Sequence, residues 1–169
     1  PSLVGGSRSN RVDDQGCVIA GGGDDISPNL IYDSFNSFIG SGRANVITGY
    51  SPGAVIVGGF DNYIGYDSQN GFIGGGYINR LEYGGDWCVI AGGIQNSIGT
   101  NSAYASIGGG ANNRIGNDAI WTVISGGSLN QINTGVIGSV VCGGFSNVNG
   151  AAYAFLGGGY GNTLGSSSN

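Results

Sequence analysis

The sequence predicts an all-β chain, a parallel β-solenoid of about ten 17-residue rungs, and three observations carry that prediction. An apolar residue followed by glycine or another small residue returns at Val4, Ile19, Ile39, Ile56, Ile73, Ile90, Ile107, Ile124, Val141 and Leu156. The spacings are 15, 20, then 17 six times, then 15. With that residue as place zero, an asparagine occupies place six at Asn10, Asn45, Asn62, Asn79, Asn96, Asn113, Asn130, Asn147 and Asn162; the second rung carries four extra residues and reaches Asn29. A second apolar residue occupies place eight at Val12, Ile31, Ile47, Ile64, Leu81, Ile98, Ile115, Ile132 and Leu164, with Asn149 breaking the column. A fixed period of this kind means one structural unit stacked on itself.

Each rung opens with a β-prone step such as Val55-Ile56, Phe72-Ile73 or Val123-Ile124. Glycines follow at places two and three, with Ser7 and Ser41 as exceptions. Paired glycines after a short strand fit a corner that needs positive φ or close approach of backbones. A second short strand reads Asn-x-Ile-Gly, as at Asn62–Gly65 and Asn96–Gly99. The remaining residues vary and return the chain to the next rung. Apolar spacing never follows a helical period for long, and glycine interrupts every rung. The chain reads as a single repeat domain, residues 1–169, with rungs starting near 3, 18, 38, 55, 72, 89, 106, 123, 140 and 155.

The asparagine column of Asn45, Asn62, Asn79, Asn96, Asn113, Asn130, Asn147 and Asn162 has a mechanical explanation. An inward amide at a bend donates to one rung and accepts from the next, pairing backbone groups that the turn leaves open.

Composition narrows function by exclusion. Glycine accounts for 38 of 169 residues, but the regular return of apolar residues and the 9% charge separate the chain from disordered glycine-rich sequence. Five arginines face ten acids, a net charge of −5, so no basic stripe exists to displace counterions from nucleic acid. No apolar run is long enough to insert in a membrane. The absence of methionine and the start at Pro1 suggest a processed piece, and an anchoring region could lie outside it. With no histidine there is no triad, no His-ligated metal site and no ordinary base near neutral pH. The acidic pairs, Asp13-Asp14, Asp24-Asp25 and Glu82 with Asp86, read as solvated surface. We therefore expect no enzyme, no cofactor and no metal. Cys17 and Cys88 lie in one column four rungs apart, about 19 Å at the usual strand spacing, too far for a bridge. Cys142 sits in another column, and three free thiols are expected, favouring a reducing compartment.

Large residues also fill the place before zero: Leu3, Val18, Phe38, Val55, Phe72, Val89, Val123, Val140 and Phe155. Neighbours in a strand point to opposite faces, so this column should form an outward apolar stripe. Such a stripe exceeds what a soluble monomer normally exposes, and burial about a three-fold axis predicts a homotrimer, a rod of roughly 45–50 Å. The alternative is a wider single coil with both columns folded inward.

The run Ser106–Gly116, with Phe72–Leu81, Val89–Gly99 and Phe155–Gly165, resembles the head repeats of YadA-like trimeric adhesins. It resembles still more the glycine-rich repeats of bacteriophage tail fibres. The resemblance implies a left-handed β-roll interlocked as a homotrimer, in a viral fibre or a cell-surface adhesin. The rung is longer than in adhesin heads, place eight holds isoleucine where alanine is common, and three cysteines are present. The extra residues enlarge one surface loop per rung, and the cysteines favour a tail fibre or receptor-binding protein of a virion, assembled in a host cytoplasm. The head of a secreted bacterial adhesin is the alternative, and a polysaccharide-degrading tailspike a third.

Recognition is expected on the variable loops. Trp87, Tyr104 and Trp121 share a column three residues before successive zero places, and Tyr66, Tyr83 and Asp86 lie nearby. Two uses are open for this ladder: packing in an intersubunit seam, or a platform for a host-surface glycan or receptor.

Overall fold

The computed structural model describes residues 1–6 and 9–165; Ser7, one of the two glycine exceptions, lies outside them. The described residues contain twenty strands, two or three residues each, and no helix. The strands form two ten-stranded parallel sheets. The first runs from β1 (Leu3–Val4) through every odd strand to β19 (Phe155–Leu156), and the second from β2 (Arg11–Val12) through every even strand to β20 (Thr163–Leu164). Register follows the sequence columns: Ile90 pairs with Ile73 and Ile107, and Leu81 with Ile64 and Ile98. A third line of parallel bridges links place four from Arg43 and Phe60 to Phe145 and Tyr160. The chain is a parallel β-solenoid.

Both isoleucine columns face one interior. Ile19, Ile39, Ile56, Ile73, Ile90, Ile107 and Ile124 from the first sheet are fully buried, as are Ile31, Ile47, Ile64, Leu81, Ile98, Ile115 and Ile132 from the second. Burying each such side chain stabilises the fold by about 1.5–3 kcal/mol. The place before zero points outward: Val55, Phe72, Val123 and Val140 are half-buried, while Phe38, Val89 and Phe155 are exposed. The wider coil with both columns inward is not what the chain forms.

Two-residue strands leave most of each rung in turns, so rung-to-rung bonding must continue outside the sheets. Two polar ladders supply it. Asn79 is typical of the first: its Nδ2 lies 3.1 Å from Asn62 Oδ1, 2.9 Å from the Gly75 carbonyl and 2.9 Å from the Gly93 carbonyl. Its Oδ1 accepts from the backbone N–H and the amide of Asn96, at 3.1 and 3.2 Å. The arrangement repeats from Asn29 to Asn162. The second ladder uses serine hydroxyls on the opposite side of the coil. Ser51 Oγ donates to the Gly65 carbonyl at 2.6 Å and accepts from Ser68 N, and Ser68 Oγ repeats this with the Glu82 carbonyl and Gly85 N. No buried side-chain nitrogen or oxygen among the described residues lacks a partner.

The corner beside the asparagines admits only glycine. Gly93 has φ of 98°, and a Cβ there would stand 2.2 Å from the Gly110 carbonyl oxygen. The four extra residues of the second rung are pinned by Asp24, whose carboxylate accepts from the backbone N–H groups of Ile26 and Ser27 at 3.0 and 2.6 Å. Those bonds hold the Asp24 carboxyl below its ordinary range, with Arg43 adding a smaller pull.

Asn96→Ala would remove a donor from the part-buried Gly92 and Gly110 carbonyls and the acceptor of the buried Asn113 backbone N–H. We expect unfolding free energy to fall by about 3 kcal/mol or more, measured by urea denaturation followed by circular dichroism. Gly93→Ala should cost a similar amount through the left-handed conformation and the backbone overlap.

Candidate functional site

The two sheets present different outer faces. On the second, place seven carries Arg11, Arg80 and Arg114, and place nine carries Asp13 and Glu82. Arg80 lies over the Tyr63 ring at 5.6 Å and 3.6 Å from Asp61. On the first, the places either side of zero hold no charged residue in any of the ten rungs. A ridge of valine and phenylalanine runs there beside a furrow of glycine, alanine and serine. Val57 and the exposed Cys142 are the larger members of the furrow.

The variable loops form the edge between the second sheet and the next turn of the first. Trp87 stacks on Tyr104 with ring centroids 5.3 Å apart and planes 1° from parallel, and Tyr104 meets Trp121 at 6.4 Å and 35°. All three are exposed, at 48, 49 and 60%. A second ladder lies on the same edge: Tyr66 stacks on Tyr83 at 5.5 Å and 1°, and Tyr50 meets Tyr66 edge-on at 5.7 Å. Tyr66 and Tyr83 share place ten, and Tyr50 stands one place off that column in sequence. Tyr153 extends the tryptophan column beyond Gly138 and is 79% exposed. Asp86 sits in the same loop as Trp87, and its carboxylate accepts from the Gln69 backbone N–H at 2.8 Å. Asp118 accepts from the Asn101 amide at 3.2 Å.

The tryptophan column shares a left-handed backbone conformation with place five, where Ile78, Gln95 and Leu129 also hold positive φ. Every rung from the second to the tenth has positive φ three places before zero. Gly16, Asn36, Gly53, Asn70 and Gly138 are residues suited to it. Trp87, Tyr104, Trp121 and Tyr153 hold the same conformation at φ of 50, 57, 55 and 54°. Bulky side chains resist it by roughly 1–2 kcal/mol per residue. Their N–H groups are held by the preceding rung, Trp87 to the Gln69 carbonyl at 2.9 Å and Tyr104 to the Asp86 carbonyl at 2.9 Å. Stacking returns about 0.5–1.5 kcal/mol per pair.

Two further features lie outside the sequence expectations. Place four carries its own aromatic pairs, Phe60 with Tyr77 at 5.6 Å and Phe145 with Tyr160 at 5.5 Å, with Arg43 over Phe60 at 5.3 Å. Near the N-terminal end, a cleft of about 300 Å³ is lined by Arg11, Asp13, Leu30, Ile31, Tyr32 and Asp33. Arg11 there is paired with Asp13 at 2.8 Å. Among the described residues no group of three or more Cys, Asp or Glu is arranged to hold a metal ion, and no helix is long and apolar enough to cross a membrane.

No protein-family model matches the chain, and no curated protein matches it.

The three cysteines are free, Cys17 and Cys88 buried and Cys142 exposed. Burial pushes the Cys88 thiol from 9.0 to about 12, and its S–H donates to the Ser102 carbonyl. We expect Cys17 and Cys88 to react with a maleimide only after unfolding, whereas Cys142 stands on the outer face of the first sheet. Because the folded thiol titrates higher than the unfolded one, its contribution to stability is complete below pH 9 and is lost towards about pH 12. Thermal melts across that range should show a decline that is shallower in Cys88→Ala, a change that Ala54 and Ala105 already make in the same column.

Proposed function

We propose that this chain is a rod segment of a bacteriophage tail fibre or receptor-binding protein, assembled as a homotrimer, whose loop edge engages a host-surface glycan. The observation that carries the glycan reading is the strained, exposed aromatic column. A position that glycine or asparagine fills without strain in five rungs is given to tryptophan or tyrosine in four others. The side chains are exposed, so the core gains little from them; Leu129 holds the same conformation, and what sets this column apart is stacked aromatic surface open to solvent. Aromatic ring surface beside amides and carboxylates suits sugar C–H faces and hydroxyls.

The trimer reading rests on the uncharged face of the first sheet. Ten rungs at about 4.8 Å give a strip whose length matches the rod, and burying it against other copies removes a long apolar stripe from water. Free Cys17, Cys88 and Cys142 suit assembly in a reducing compartment and favour the fibre over the secreted adhesin head.

Light scattering on the chain eluting from a sizing column should give about three times 16.9 kDa; a mass of one chain would reject the trimer. Trp121→Asn should leave the melting temperature unchanged or higher, since asparagine suits the left-handed conformation. It should lower glycan binding about tenfold or more on an immobilised host-polysaccharide surface. Equal binding by the variant would reject the aromatic column as the contact.

A further inference from the structure

The two loop ladders share one loop. Tyr50, Tyr66 and Tyr83 climb one side of the edge over three successive loops. Trp87, Tyr104 and Trp121 climb the other side over three, beginning in the loop that holds Tyr83. The crossover is the turn Gly84-Gly85-Asp86, in which glycines add no side chain between the ladders. Six aromatic side chains, each between 46 and 60% exposed, thus make a series of two ladders over five successive loops. At about 4.8 Å per rung it rises roughly 19 Å while crossing the edge diagonally.

Charge along this series selects among ligands. It holds Asp67, Asp86 and Asp118 and no arginine. Among the described residues the arginines lie elsewhere: Arg43 on the place-four column over Phe60, and Arg11, Arg80 and Arg114 on the outer face of the second sheet. A polyanionic chain would meet only like charge there. Gln69, Asn70, Thr100, Asn101 and Asn117 supply amide and hydroxyl groups along it instead. Asn117 Oδ1 accepts from Thr100 N at 3.1 Å, so the polar groups are tied to the rungs and do not sweep freely. Backbone groups of the loops are engaged rung to rung, as in Asp67 N to the Gly49 carbonyl and Asn101 N to the Tyr83 carbonyl, so an extended peptide gains no strand to pair with.

We propose that the six aromatics form one continuous site for an extended, uncharged oligosaccharide running diagonally along the rod, with both ladders in contact with the same chain. The proposal rests on the glycan reading above and adds ligand class, length and direction to it.

The test is titration calorimetry with chito-oligosaccharides and malto-oligosaccharides from disaccharide to octasaccharide, and with oligogalacturonates of matching length as the anionic control. Affinity for one neutral series should rise with length up to a chain that spans both ladders, and oligogalacturonates should bind at least about tenfold more weakly. Tyr50→Asn and Trp121→Asn, at opposite ends, should each reduce affinity for the long neutral chain about tenfold, and Tyr83→Ala at the crossover should reduce it as much. Circular dichroism melts confirm that each variant is folded. If Trp121→Asn weakens binding while Tyr50→Asn and Tyr83→Ala do not, the continuous site is wrong and the glycan reading survives on the tryptophan column alone. Preference for oligogalacturonate overturns the uncharged class. No binding of any saccharide, with tryptophan emission shielded from acrylamide, overturns both readings and puts the ladders in an interchain seam.

Discussion

The asparagine ladder is the constraint on which the rest of the molecule depends. Its amides lie within 3.2 Å of carbonyl oxygens in their own rung and the next, and of the preceding amide oxygen. The asparagines from Asn29 to Asn147 are fully buried and their amides fully paired, so each rung repeats the same geometry as the one below. That requirement makes the neighbouring glycine obligatory, because the next rung's carbonyl occupies the space of a Cβ. It also fixes where the following strand begins, and hence which isoleucine enters the core.

With one side of the rung held so tightly, variation is displaced to the other. The serine ladder on the loop side is looser: Ser51, Ser68 and Ser102 give way to Ala119 and Val136 in later rungs, and the interior accepts either. Loop residues are spaced by the strand repeat whatever their identity. Any side chain repeated at one place becomes a column with fixed pitch. The aromatic ladders follow from this. They need no recognition between rings to bring them together, only the same place in consecutive rungs.

The two sheets divide the chemistry of the surface. The outer face of the second sheet takes arginines and acids, and that of the first takes none. The loop edge carries acids with exposed aromatics. A face without charge in any of the ten rungs, an edge whose strained aromatic column occupies four of them and a face that carries Arg11, Arg80 and Arg114 are three different surfaces on one repeat.

The sequence by itself determined the fold class, the rung boundaries, the interior columns of isoleucine and the asparagine column, because each is a one-dimensional period. It also separated the cysteines, since four rungs of stacking exceed any disulfide. Three things were decided only by the tertiary structure. Place three before zero adopts positive φ from the second rung to the tenth, and the glycines and asparagines of five rungs do not announce it for the other four, because tryptophan and tyrosine are poor markers of that conformation. Tyr50 stands one place off the Tyr66 and Tyr83 column in sequence yet meets Tyr66 in space, because the chain bends at Gly49. The pairs Phe60–Tyr77 and Phe145–Tyr160 and the serine ladder depend on which turn residues point out and which point in. Strand alternation settles that question for two-residue strands. For the turns between them it is settled by the backbone dihedrals, which stacking imposes and local sequence does not reveal.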